Sequence, residues 1–183
     1  MRTFIAIDIP EELKPEIISI QYEIEGSDIK FVEPENLHFN IKFLGDTTED
    51  QIPKLTAILD EISNKFEAFD IEINGMGAFP SNTHIKVLWL GVKDGSNELL
   101  GLAEAIDSKT KEMGFREEER TFKAHLTLGR IKSKNGNKSL SEMIENNKDV
   151  SVGKFKANSI KLIKSELTPQ GPQYTVVHEA KFG

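Results

Sequence analysis

Two stretches of this chain, Leu37-His38-Phe39-Asn40-Ile41-Lys42 and Ala124-His125-Leu126-Thr127-Leu128-Gly129, place a histidine in an alternating strand pattern, 125 − 38 = 87 residues apart. Each follows an irregular segment and recurs within the same succession: strand, helix, histidine strand, helix, strand. A chain that uses such a unit twice is expected to fold as two pseudo-symmetric lobes around a central groove. Alternation with one polar side favours antiparallel sheets open on one face, so the fold class is α+β, each lobe having a sheet and flanking helices.

The individual elements follow from periodicity. Two-residue alternation predicts strands at Thr3 to Ile9, Lys30 to Glu33, Leu37 to Leu44, Ile71 to Phe79, Ile85 to Val92, Ala124 to Ile131, Val152 to Leu162 and Gln173 to Lys181. Helical spacing fits Glu11 to Ile24, Glu49 to Phe66, Asn97 to Met113 and Leu140 to Asn147, with Pro10 and Thr48 as entry points for the first two. The basic segment Lys132 to Lys138 reads as a loop after the second histidine strand.

Composition narrows the functional classes. At 183 residues and 38% hydrophobic content the chain fits a single domain over residues 1–183, and no apolar run approaches membrane length. The opening MRTFIAIDIP lacks a secretory apolar region, and with no cysteine there is neither a disulfide framework nor a thiolate site, so a cytoplasmic location is expected. The net charge of −7 argues against broad adhesion to duplex nucleic acid. It leaves room for one anionic group held by a few cations in a cleft. No partner-docking helix is evident, and the protein is expected to act as a monomer.

In an extended strand, His38, Asn40 and Lys42 share one face while Phe39, Ile41 and Phe43 share the other. His125 and Thr127 repeat the arrangement against Leu126 and Leu128. A lone strand histidine is usually structural, but two in one pattern can divide proton transfer, because imidazole gains or loses a proton near neutral pH. Asn40 and Thr127 would then hold phosphate oxygens. His84 and His178 lack the pattern and are read as ordinary surface or structural residues. Arg130 could grip phosphate, yet strict alternation turns it away from His125 unless the strand bulges. Phe43, Phe79 and Trp89 read as core before base-stacking residues.

Both histidine segments resemble the paired H-x-T-x motifs of the RNA 2′,3′-cyclic phosphodiesterase family, also called 2′-5′ RNA ligase, within the two-histidine phosphoesterase superfamily. The second motif is intact as His125-Leu126-Thr127-Leu128, while the first is His38-Phe39-Asn40-Ile41, followed by Lys42-Phe43-Leu44-Gly45. The likeness extends through Arg2 to Asp8, Pro34 to Leu37, Gly77 to Pro80, Val87 to Gly91, Ser165 to Pro169 and Gly171 to Tyr174. The resemblance implies hydrolysis of RNA or small-nucleotide 2′,3′-cyclic phosphates to 2′-phosphates, with His38 as proton donor and His125 as acceptor. It implies Thr127 as a phosphate ligand and requires no metal or cofactor. Asn40 departs from the family's threonine, and activity is expected to survive at a reduced level.

Two other readings compete: 2′-5′ ligation in the same groove, and an RNA-end binding module with little turnover, which the Asn40 substitution favours. A zinc hydrolase lacks an H-E-x-x-H or cysteine ligand set, and no phosphate loop, nucleophile elbow or dinucleotide fingerprint occurs.

Overall fold

In the computed structural model, residues 1–24, 28–132 and 138–183 are described. The elements in chain order begin with β1 (Arg2–Asp8), α1 (Lys14–Glu23), β2 (Ile29–Phe31), β3 (His38–Asp46), α2 (Ile52–Asn64), β4 (Phe69–Pro80) and β5 (Ile85–Val92). They are followed by α3 (Ser96–Glu112), β6 (His125–Ile131), α4 (Lys138–Asn146), β7 (Ser151–Ala157), β8 (Ser159–Thr168) and β9 (Gly171–Lys181). The expected helix entries hold. Pro10 caps a 3₁₀ turn at Glu11–Leu13 that leads into α1. Thr48 and Gln51 form a reciprocal capping box ahead of α2, the Thr48 N–H donating to Gln51 Oε1 at 2.9 Å.

The strands run β7-β4-β5-β6-β3-β1-β8-β9, with β2 paired to β6, and every pairing is antiparallel. Two four-stranded halves therefore meet at β6 and β3, where Phe39 pairs with Leu126. The sheets of the two lobes join edge to edge into one, and each half contributes one histidine strand at the seam. One boundary differs from expectation. The run Val152 to Leu162 is two strands, β7 on β4 and β8 on β1, in opposite halves. No glycine or proline interrupts the pattern between Lys154 and Leu162, so the chain's crossing at Asn158 leaves no local mark.

Leu55 and Leu59 of α2, Leu99, Leu102 and Ile106 of α3 and Ile17 of α1 are fully buried in the main core. Ile5 and Ile7 of β1 join them, whereas Phe4 and Ala6 lie with Ile163 and Tyr174 in a second cluster on the opposite sheet face. That alternation separates a helix-covered face from the face carrying the histidines.

The separation is broken at one equivalent point in both histidine strands, and β3 carries a further register shift at Leu44. Ala6 pairs with Asn40 and Ile5 with Lys42, leaving Ile41 as an extra residue; Trp89 pairs with Thr127 and Leu88 with Gly129, leaving Leu128 extra. These are β-bulges at positions again 128 − 41 = 87 residues apart. The expectation that Lys42 shares the groove face with His38 and Asn40, and that Phe43 faces the core, is corrected by this extra residue. Lys42 is buried at 2% exposure and Phe43 is 62% exposed.

On the helix side, the Lys42 ammonium pairs with Asp107 of α3 and donates to the Arg116 carbonyl at 2.8 Å. The Glu118 N–H donates to the same Asp107 oxygen at 3.1 Å, so the pair fastens the segment leading into β6. Burial pushes the Asp107 carboxyl up, but the hydrogen bonds from Lys42 and Glu118, with the nearby charges of Lys42 and Lys111, outweigh it and leave it below the usual range. Removing one partner strands a buried charge. Asp107→Ala should lower stability in urea unfolding by about 3–5 kcal/mol, while Lys42→Met combined with Asp107→Leu should recover most of it. Equal losses in the single and double variants would contradict this account.

Candidate functional site

His38 opens β3 directly after a 3₁₀ turn at Pro34–Asn36. Its Nδ1 lies 2.6 Å from the Asn36 carbonyl, and the Asn36 side chain donates to the Pro172 carbonyl at 3.1 Å. A carbonyl only accepts, so Nδ1 carries the hydrogen and Nε2 is the nitrogen left for chemistry. The ring packs against Phe4 at 4.9 Å between centroids and lies edge-on to Tyr174 at 5.5 Å. One buried residue, Asn36, thus fixes the imidazole and ties it to the turn that begins β9.

His125 repeats the device at the head of β6. Its Nδ1 donates to the Lys123 carbonyl at 2.7 Å, again two residues upstream. Phe79 stands edge-on to the ring at 4.9 Å, and Trp89 lies 6.3 Å away. The Lys123 ammonium sits over Trp89, 4.7 Å from the ring centroid.

His38, Asn40, His125, Thr127 and Arg130 all line one cavity of about 300 Å³. Arg130 reaches it because the Leu128 bulge reverses the facing that strict alternation assigned to it. Phe43, its counterpart in the other half, joins the same cavity by the Ile41 bulge. Asn40 makes no side-chain hydrogen bond among the described residues, and its Oδ1 is buried without a partner. Tyr174 and Asn36 also line the cavity, and sequence reasoning gave them no role. Their neighbourhoods stand out in sequence, but their meeting depends on a contact across 136 residues.

Phe79 and Trp89, expected to be core residues, lie outside the main hydrophobic cluster and pack beside His125 instead. Trp89 is 9% exposed, and Phe79 packs against it with ring centroids 5.2 Å apart. His178 pairs with Asp60 at 2.8 Å, and His84 is exposed in the turn between β4 and β5. Among the described residues, no group of three or more histidine, aspartate, glutamate or cysteine side chains is arranged to hold a metal. Only the first and last residues of the basic segment, Lys132 and Lys138, are described; Ser133 to Asn137 lie outside the described residues.

The LigT like Phosphoesterase family matches the chain twice, over residues 7–89 and 90–174, with one histidine strand in each match. The chain belongs to this family. It is 42% identical to the RNA 2′,3′-cyclic phosphodiesterase of Methanocaldococcus jannaschii over 179 residues, covering 98% of this chain and 99% of the relative. The protein of the same description from Methanothermobacter thermautotrophicus is 38% identical, covering 96% and 95%. Among solved structures, TT0787 of Thermus thermophilus superposes with a TM-score of 0.85 at 26% identity, covering 100% of this chain and 98% of that one. E. coli LigT complexed with 3′-AMP shares the fold, with a TM-score of 0.82 at 21% identity, covering 99% and 97%.

Electrostatics distinguish the two rings. Burial holds His38 below the ordinary imidazole range; the Asn36 carbonyl and the Asp8 carboxylate oppose that shift, while His125 adds to it. Burial also lowers His125, the Lys123 carbonyl opposes it, and the charges of Lys123 and Arg130 lower it further. His38 therefore sees a carboxylate and His125 sees two cations. Histidine titration by NMR should find both rings protonated at Nδ1 in their neutral forms and titrating below about 6.5 in the free protein. A ring that titrates above that value would contradict the burial account.

Proposed function

We propose that the protein hydrolyses 2′,3′-cyclic phosphodiester ends of RNA, or small 2′,3′-cyclic nucleotides, to 2′-phosphates. The observation that carries this reading is a pair of imidazoles lining one cavity, each held through Nδ1 by a carbonyl two residues upstream. Burial lowers both rings; at His38 the Asp8 carboxylate, itself paired with Lys161, opposes that shift, while at His125 the charges of Lys123 and Arg130 add to it, a difference in the sense that an acid and a base require.

In the proposed reaction, His125 Nε2 takes a proton from water as the water oxygen bonds to phosphorus. The bond from phosphorus to the ribose 3′-oxygen breaks, and protonated His38 gives its Nε2 proton to that oxygen. The product carries a 2′-phosphate and a 3′-hydroxyl, and the two histidines have exchanged protonation states. Proton exchange with solvent resets them. Asn40, Thr127 and Arg130 hold the non-bridging oxygens, where charge builds as water attacks. Phe43, exposed beside them, offers a face to the base. No step calls for a metal, so turnover should persist in chelator. Both histidines come from one chain, which fits action as a monomer, and cytoplasmic RNA is the expected substrate pool.

His38→Ala and His125→Ala should each lower kcat on a 2′,3′-cyclic nucleotide by about 10²–10⁴-fold. The wild-type profile of kcat/KM against pH should be a bell whose alkaline limb reports loss of the His38 proton. Because the Asp8 carboxylate raises that pKa, Asp8→Asn should move the alkaline limb to lower pH and leave the acid limb in place. An acid limb that moves to lower pH while the alkaline limb stays in place would reverse the assignment of donor and acceptor. Asn40→Ala should cost about 10²-fold in kcat if its amide holds the developing charge, and Asn40→Thr should restore activity to wild type or above. Hydrolysis unaffected by Asn40→Ala would remove this residue from the reaction.

A further inference from the structure

We propose that a second concavity, beyond Trp89 and Lys123 from the histidine cavity, seats the nucleotide preceding the cyclic end of an RNA. The inference rests on the hydrolytic reading above and extends it from the reacting phosphate to the polymer attached to it. In the sheet, Gly91 pairs with His125 and Trp89 with Thr127, and residues directly opposite each other project to the same face. Trp89 and Gly91 therefore continue the floor on which the histidines stand. They line a hollow of about 440 Å³ together with Asn74, Asn97, Lys123 and Lys148.

Three features fit a nucleotide. The first is charge: two lysines and no aspartate or glutamate line the hollow, in a chain with 30 acidic residues. The Lys123 ammonium makes no ion pair among the described residues and rests over Trp89 at the boundary nearest His125, where an RNA strand leaving the reacting nucleotide would carry its next phosphate. Lys148 also lines the hollow, and its exposed side chain pairs, among the described residues, with the equally exposed Glu145 at 3.1 Å. A phosphate can compete for such a pair because exposed ion pairs contribute little.

The second is the mixed lining. Met76, Leu100 and Phe122 supply apolar area, while the Asn74 and Asn97 side chains can donate to or accept from a base edge. The third is the close fit of the floor. A Cβ on Gly91 would lie 2.9 Å from the Asn74 carbonyl oxygen and 3.4 Å from the Trp89 ring. Trp89 Nε1 is also buried there without an acceptor. The histidine cavity, at about 300 Å³, is at the lower end of the range for small-ligand sites and suits a single nucleotide. A cyclic mononucleotide would leave the second hollow empty, whereas an RNA end would enter it.

The test compares a 2′,3′-cyclic mononucleotide with a trinucleotide ending in a 2′,3′-cyclic phosphate. Wild type should prefer the trinucleotide by about tenfold or more in kcat/KM, and that preference should fall with added salt. Lys148→Glu should reduce the ratio of the two kcat/KM values at least severalfold and lower the salt slope for the trinucleotide by about 0.7 per lost phosphate contact. Ser96→Glu places a carboxylate in the same hollow at the first turn of α3, where it favours the helix, and should reduce the ratio likewise. Thermal unfolding and mononucleotide turnover show whether each variant is folded and competent. An unchanged ratio and salt slope in both variants, or no trinucleotide preference in wild type, overturns the second subsite. Failure of wild type to hydrolyse any cyclic substrate overturns the hydrolytic reading instead.

Discussion

Between Asn40 and Lys42, β3 inserts Ile41 against the single step from Ala6 to Ile5, and β6 inserts Leu128 against the step from Trp89 to Leu88. The insertion lets the first and third residues of each strand face the groove and the fourth and fifth both turn away from it, after which the chain returns to the groove. An unbroken strand would bury Phe43 and Arg130 or lose Ile41 and Leu128 from the core. With the bulge, apolar packing and a polar cavity are satisfied together. In the first half the residue turned inward is a lysine, whose charge is met by Asp107 and the Arg116 carbonyl. The same backbone irregularity thus joins the groove to the segment that carries Lys123.

The imidazoles depend on that frame for orientation but on their surroundings for character. Both bind a carbonyl two residues upstream through Nδ1, an arrangement that fixes which nitrogen faces the cavity and does not distinguish one ring from the other. The distinction comes from side chains on other strands and loops. Asp8 of β1 acts on His38, and Lys123 with Arg130 acts on His125. Burial lowers both rings, and the difference in neighbouring charge between them biases the direction of proton flow.

Much of this was legible locally. Alternation placed the strands that carry His38 and His125, and Pro10 and Thr48 marked the first two helix entries because capping acts within a few residues. The bulges were illegible because Ile41 and Leu128 are apolar residues at positions where an unbroken strand would also be apolar. Their register is visible only against β1 and β5. Lys42 consequently looked like a groove residue, and its partner Asp107 lies 65 residues away. The division of Val152 to Leu162 between two halves was hidden for a related reason, since both pieces keep strand periodicity. Tyr174 enters the cavity through a tertiary contact that no short window contains.

The family matches residues 7–89 and 90–174 separately, so the two halves are variants of one unit. Two identical halves facing one another would give their histidines identical surroundings, and neither ring would have a standing preference to hold the proton. Within a single chain the equivalent positions are free to diverge. Asn40 stands opposite Thr127 in that relationship, Phe43 opposite Arg130, and Lys42 opposite Gly129. The departure at Asn40 can then be seen as one more unequal pair across a broken two-fold axis, and a cavity built from unequal halves can tell one end of a bound strand from the other.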